Sequence, residues 1–150
     1  MNDTLKGTLK GTLAGVAVAT FLTVGGRAIL AGQEKTVWDG VYTEAQAKRG
    51  EQLYLERCVT CHGAALEGTE LAPSLAGDEF ALNWNDLPLN ELSERIRVTM
   101  PQDQPGVLNR QQTADTVGFM LSKGGFPIGS EELGAAPGAL SSIQFLAKKP

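Results

Sequence analysis

Cys58-Val59-Thr60-Cys61-His62 decides how this chain is read. Two thiols separated by two residues and followed at once by a histidine form the c-type haem attachment signature. The chemistry accounts for the spacing. Each sulfur adds across one vinyl group of the same macrocycle, and a short, turned backbone presents both to neighbouring edges. The adjacent imidazole is then carried under the iron as the proximal axial ligand. These are the only two cysteines in the chain, and His62 is its only histidine. A zinc site needs a second pair of ligands, which the chain lacks. A thioredoxin-like pair follows a buried strand, whereas here the preceding residues, Lys48 to Arg57, are charged and helical in pattern. A plain disulfide across the short loop stays open as an alternative. The expected cofactor is one covalent haem c, held by Cys58, Cys61 and His62.

The chain has 150 residues and a formal net charge of −4. That length suits one domain plus a targeting segment. Residues 1–32 hold Lys6, Lys10 and Arg27 against Asp3, so the remainder stands at −6. Such a balance argues against nucleic-acid binding; solubility alone is the preferred account of it, with steering towards basic patches on redox partners as the alternative. Lys6 and Lys10 precede an uncharged apolar run from Leu13 to Val24. A basic start followed by an apolar stretch of this length reads as a secretory signal. The alternative is a retained membrane anchor over residues 11–31, with Arg27 snorkelling to the far side. Either way the domain is expected in the periplasm or on the outer face of the cytoplasmic membrane. The division expected is residues 1–32 as signal or anchor, 33–128 as the folded domain, and 129–150 as a C-terminal extension.

Within the domain, Thr43 and Gln46 fit a capping box. The helix they open puts Ala47, Gly50, Tyr54 and Cys58 on one side. Gly50 implies close approach of another helix. Gly63 to Pro88 is rich in turn residues and reads as irregular, its length justified by wrapping a cofactor. Leu89, Leu92, Ile96 and Met100 recur at helical spacing, and the pattern stops at Pro101. Asn109 with Gln112 opens a last helix ending at Gly124. Phe80 and Trp84 are candidates to cover a haem edge. With one histidine, bis-histidine ligation within a monomer is excluded. Met100, at a helix end, is preferred as the sixth ligand over Met120, which sits inside a helix, and an open or weakly held site is the alternative.

Gly50-x-x-x-Tyr54 ahead of the Cys58–His62 motif, then Pro73-Ser74-Leu75-Ala76-Gly77, Thr99-Met100-Pro101 and a final helix carrying Phe119 together resemble the class I cytochrome c family over residues 36–128. Val37 to Thr43 and Ser122 to Pro127 look similar to small bacterial monohaem cytochromes that accompany periplasmic quinoprotein dehydrogenases. The resemblance implies an all-α fold of three to four short helices wrapped around one haem. In that fold the first and last helices cross near Gly50 and Phe119. It also implies that the Pro73 carbonyl accepts the Nδ1 hydrogen of His62, with Leu75 and Trp84 at the cofactor. Phe119 stands where the family more often has tyrosine, and Gly118 weakens the last helix. The expected function is a non-enzymatic electron carrier with His62 and Met100 on the iron. Its partners would be redox proteins such as a quinoprotein dehydrogenase or a terminal oxidase. Two rivals stand: a fixed electron relay inside a membrane-anchored oxidoreductase or a respiratory or photosynthetic complex, and a haem peroxidase or gas-binding sensor with an open iron site.

Overall fold

In the computed structural model, residues 34–150 are described. The expected signal or anchor over residues 1–32 lies outside them. Among the described residues, no helix is long and apolar enough to cross a membrane.

The first helix, α1 (Glu44–Arg57), starts where Thr43 accepts the Gln46 backbone N–H at 3.1 Å. A single turn, α2 (Val59–His62), follows directly and carries the motif. Then come α3 (Gly77–Trp84), α4 (Leu89–Thr99) and α5 (Arg110–Lys123). The last of these begins with a full capping box: the Asn109 side chain accepts from the Gln112 N–H, and the Gln112 side chain accepts from the Asn109 N–H, both at 2.9 Å. At the other end the Gly124 N–H reaches back to the Met120 carbonyl, so α5 stops where the sequence pattern stops it.

α1 and α5 cross at Gly50. A β-carbon there would collide with the Asp115 carbonyl and lie 2.9 Å from Phe119 Cβ. The missing side chain therefore lets two backbones touch. Next to the crossing the Tyr54 and Phe119 rings lie 5.2 Å apart, so phenylalanine supplies the aromatic contact without a hydroxyl. Arg49, one residue before Gly50, forks onto Asp115 through Nε and an Nη, both at 2.9 Å, and also reaches Glu132. One guanidinium thus ties α1, α5 and the tail.

Three features depart from the sequence expectation. The stretch read as irregular contains α3. Its first turn carries Asp78 and Glu79, whose charge suits a helix N-terminus, and Phe80 and Trp84 pack at i,i+4 spacing with ring centroids 6.3 Å apart. Eight residues among turn formers are too few for a clear periodic signal. Second, the helices are joined by a small sheet: β1 (Lys35–Thr36), β2 (Leu87–Pro88) and β3 (Ile143–Phe145), in the order β1-β3-β2. β3 runs parallel to β1 and antiparallel to β2.

Third, the tail beyond 129 is woven into the same unit as the helices. Leu133, Leu140, Ile143 and Phe145 are buried in the core. Gln46 forms only half of its capping box because its side-chain amide is used on the tail. It donates to the Leu133 carbonyl at 3.1 Å and accepts the Leu133 N–H at 2.8 Å, with 0% exposure. Tyr42 donates to the Phe126 carbonyl at 2.7 Å and Trp38 Nε1 to the Leu146 carbonyl at 2.9 Å. The lead-in to α1 and the chain after α5 are held together by these bonds.

This geometry can be checked by denaturant titrations followed by far-ultraviolet circular dichroism. Gly50→Ala should lose about 3 kcal/mol or fail to fold, since backbone must move. Gly118→Ala should stay within about 1 kcal/mol of wild type, its helix gain set against a contact of 3.3 Å to Gln46 Cγ. Gln46→Leu should cost roughly 3 kcal/mol, because both polar groups of the Leu133 backbone lose their buried partner.

Candidate functional site

α1 delivers the motif. Its last turn closes with the Cys58 N–H on the Tyr54 carbonyl at 2.8 Å, and α2 then starts at once, with the Cys61 and His62 N–H groups both on the Cys58 carbonyl. That tight turn puts Cys58 half inside and Cys61 outside the protein, each as an unpaired thiol. No disulfide joins them. Burial, with the nearby Cys61 as a second cause, pushes the Cys58 thiol up to about 11. A reactive redox thiol is favoured by the opposite shift. Among the described residues, no group of three or more His, Cys, Asp and Glu is placed to hold a metal ion.

His62 is 7% exposed. Its Nδ1 stands 2.9 Å from the Pro73 carbonyl oxygen. A carbonyl only accepts, so Nδ1 carries the proton and Nε2 is left with its lone pair. Nε2 makes no hydrogen bond among the described residues and is not sealed from solvent. The ring is thus oriented and in the tautomer a metal takes, the arrangement that an accepting carbonyl imposes on a ligating histidine. An oriented imidazole with free Nε2 beside two unpaired thiols three positions apart in one turn is a donor set that fits covalent haem.

The chain after His62 is ordered by bonds back onto the motif. Gly63 takes φ +79°, which lets the backbone reverse. The Gly68 N–H donates to the His62 carbonyl at 2.8 Å, Thr69 Oγ1 to the Cys61 carbonyl at 2.6 Å, and the Leu75 N–H to the Leu66 carbonyl at 2.8 Å. Leu66 is fully buried in a left-handed conformation, φ +62°. From α1, the Tyr54 hydroxyl donates to the Gly63 carbonyl at 2.6 Å. Sequence reasoning placed Tyr54 on the packing side of α1 and missed this bond, as it missed Thr69. Neither residue carries a spacing signal for such a contact.

The remaining sequence candidates are spread around the site. Leu75 is half-buried two residues beyond Pro73 and lines a cavity of about 100 Å³, with Trp38, Phe80, Met120, Phe126 and Phe145 also on its walls. At about 30 Å³ per water molecule, this is room for a few waters. Cys58, Cys61, His62, Trp84 and Met100 are not among its lining residues. Trp84 is half-buried at the end of α3. Met100 caps α4 in an extended conformation, its N–H on the Ile96 carbonyl at 2.9 Å and its side chain partly exposed. Met120 is 3% exposed inside the core.

A Cys-x-x-Cys-His turn at the end of one helix, the histidine held from behind by a proline carbonyl and the whole braced on a crossing helix, is the architecture of a c-type cytochrome domain. The chain belongs to the cytochrome c family described as "Cytochrome C oxidase, cbb3-type, subunit III", which it matches over residues 45–120. It is 38% identical over 72 residues to Cytochrome c-551 of Bacillus subtilis (strain 168), a match covering 48% of this chain and 61% of that protein's length. A solved structure, "Crystal Structure of the Sulfane Dehydrogenase SoxCD from Paracoccus pantotrophus", superposes over 63% of this chain and 55% of its own, with a TM-score of 0.47 and 21% identity. The chain is a c-type cytochrome domain with one haem-attachment motif, Cys58 and Cys61 standing in the attachment positions.

Tyr54 offers a direct check on the brace. Tyr54→Phe should lower stability by about 1 to 2 kcal/mol, the cost of an unpartnered, partly buried carbonyl. Burial raises the Tyr54 phenol from 10.0 to about 12. Folding therefore holds this proton more tightly than the unfolded chain does, and the phenol's contribution is complete below pH 10.0 and lost as pH rises to about 12. Denaturant midpoints measured across that range should fall more steeply for wild type than for Tyr54→Phe.

Proposed function

We propose that this chain is an exported electron carrier, passing single electrons between redox proteins and catalysing no reaction of its own. The observation that carries the reading is the 2.9 Å bond from His62 Nδ1 to the Pro73 carbonyl, which leaves Nε2 as the ring nitrogen available to an iron. Haem c supplies an iron that cycles between two oxidation states one electron at a time. Cys58 and Cys61 would hold the macrocycle and His62 would be the proximal ligand. Pro73 keeps the ring from rotating and makes it a stronger donor. Met100 would be the distal ligand, and Leu75 and Trp84 would lie against the cofactor.

The contrast between the two methionines supports that choice. Met120 is enclosed in the core on α5, whereas Met100 stands where α4 has ended and its thioether is not committed to core packing. A thioether opposite an imidazole raises the haem potential and closes the iron to outside ligands. A site closed on both sides suits transfer of electrons without bond making. The basic, apolar N-terminal stretch supports export to the periplasm or the outer membrane face.

The family description, an oxidase subunit, favours a second reading: a relay fixed within a membrane-anchored complex. Mass spectrometry of the mature protein separates the two. Retention of residues 1–31 supports the relay, and a freely soluble cleaved product supports the carrier.

The ligand assignment is tested by absorption spectra of the matured protein. Wild type should be low-spin in both oxidation states and unresponsive to carbon monoxide. Met100→Ala should become high-spin or bind carbon monoxide when reduced, with a lower midpoint potential. Met120→Ala should keep the wild-type spectrum. The reverse pattern would assign the distal position to Met120, and a wild-type protein that takes carbon monoxide with no displaced ligand would point to a sensor or peroxidase.

A further inference from the structure

The surface charge of this domain is sorted. Between Arg57 and Arg95 there is no lysine or arginine. The same stretch carries Glu67, Glu70, Asp78, Glu79, Asp86 and Glu91, all exposed and none in an ion pair among the described residues. Glu94, at the end of the stretch, is paired with Arg97 and Arg110. Outside it Glu44 is matched by Lys48, Glu51 by Lys123, and Asp115 and Glu132 by Arg49, while Glu34, Asp39, Glu56 and Asp103 have no ion pair among the described residues. Uncompensated negative charge is therefore concentrated on the segment that leaves the attachment motif.

That segment also displays an apolar tip fastened to the motif. The Thr69 N–H donates to the Ala72 carbonyl at 2.9 Å, closing a tight turn with Glu70 and Leu71 at its apex. Thr69 Oγ1 holds the turn against the Cys61 carbonyl. Leu71 is 73% exposed, and Leu82 on α3 is 64% exposed. The Glu67 carboxylate lies close to Gly63, the residue after His62. The loop that leaves the exposed Cys61 thus carries a fixed, exposed leucine together with the unpaired carboxylates of Glu67 and Glu70.

We propose that the segment from Gly63 to Trp84, centred on Leu71, is the surface on which this cytochrome docks a redox protein that presents lysine and arginine side chains around an apolar spot. The inference rests on the electron-carrier reading. An apolar centre excludes water where the electron crosses, and the acidic rim speeds encounter and orients the partner. Such contacts are small and short-lived. Steering by charge of this kind raises association rates by about 10- to 1,000-fold, and salt removes the gain.

Two one-electron oxidants of opposite charge test it on the matured, reduced full-length protein by stopped flow. With tris(1,10-phenanthroline)cobalt(III), a cation with apolar faces, the wild-type rate should fall as salt is added. With hexacyanoferrate(III), an anion, it should rise. The triple variant Glu67→Gln, Glu70→Gln, Asp78→Asn should slow the cobalt reaction by about tenfold at low salt and flatten both salt profiles. The triple variant Glu44→Gln, Glu51→Gln, Glu131→Gln changes net charge equally and should stay within about twofold of wild type. Leu71→Ser should slow the cobalt reaction while leaving the hexacyanoferrate reaction unchanged. In nitrogen-15 spectra, a poly-L-lysine decamer should shift resonances of residues 63–91 and spare those of α5.

If the two triple variants behave alike, net charge and not this face governs the reaction, and the docking surface is overturned while the carrier stands. Shifts spread evenly over the domain would overturn the docking surface in the same way. An iron that is not reversibly oxidised by either reagent overturns both readings together.

Discussion

Everything in this domain hangs on one absent side chain. At Gly50 the backbone of α1 lies against the Asp115 carbonyl of α5, closer than any residue with a β-carbon permits. Around that contact the Tyr54 and Phe119 rings stack obliquely and Arg49 forks onto Asp115. The crossing sets the direction in which α1 ends, and α1 ends at Cys58. Position of the attachment turn is thus inherited from a helix packing constraint two turns earlier. A glycine in a helix interior costs up to about 1 kcal/mol of propensity, and the close packing it allows offsets that cost.

From the crossing outward, order is handed along the chain by hydrogen bonds onto backbone carbonyls. Tyr54 holds the Gly63 carbonyl, the His62 and Cys61 carbonyls hold Gly68 and Thr69, and Leu66 holds Leu75. Pro73 is then within reach of His62. The carbonyl that selects the histidine tautomer is therefore placed by a dozen residues of loop, itself held in shape by the motif it serves. Buried Leu66, in a backbone conformation that leucine rarely adopts, shows that tertiary packing outweighs local strain here.

Charge and packing divide the surface between two tasks. Ion pairs across α1, α5 and the tail join elements far apart in sequence, as Arg49 does with Asp115 and Glu132. The acidic groups near the attachment turn have no such partners and leave their field to solution.

The attachment residues, the helices α1, α4 and α5 with their ends, and the role of Gly50 were all legible in the sequence. Covalent spacing, capping and helical periodicity are written in neighbouring residues, and Asn109–Gln112 and Met100-Pro101 show how little context they need. The tertiary structure alone decided the rest. Gln46 reads as the second half of a capping box, yet its amide faces Leu133, 87 positions away. The tail reads as an extension, yet Phe145 and Leu133 close the core and β3 joins β1 to β2. α3 lies hidden in a stretch of turn formers until Phe80 finds Phe145. Hydrogen-bond donors and apolar side chains specify that they must be satisfied, not by whom. Only the folded chain, in which distant segments compete for the same partner, makes that choice.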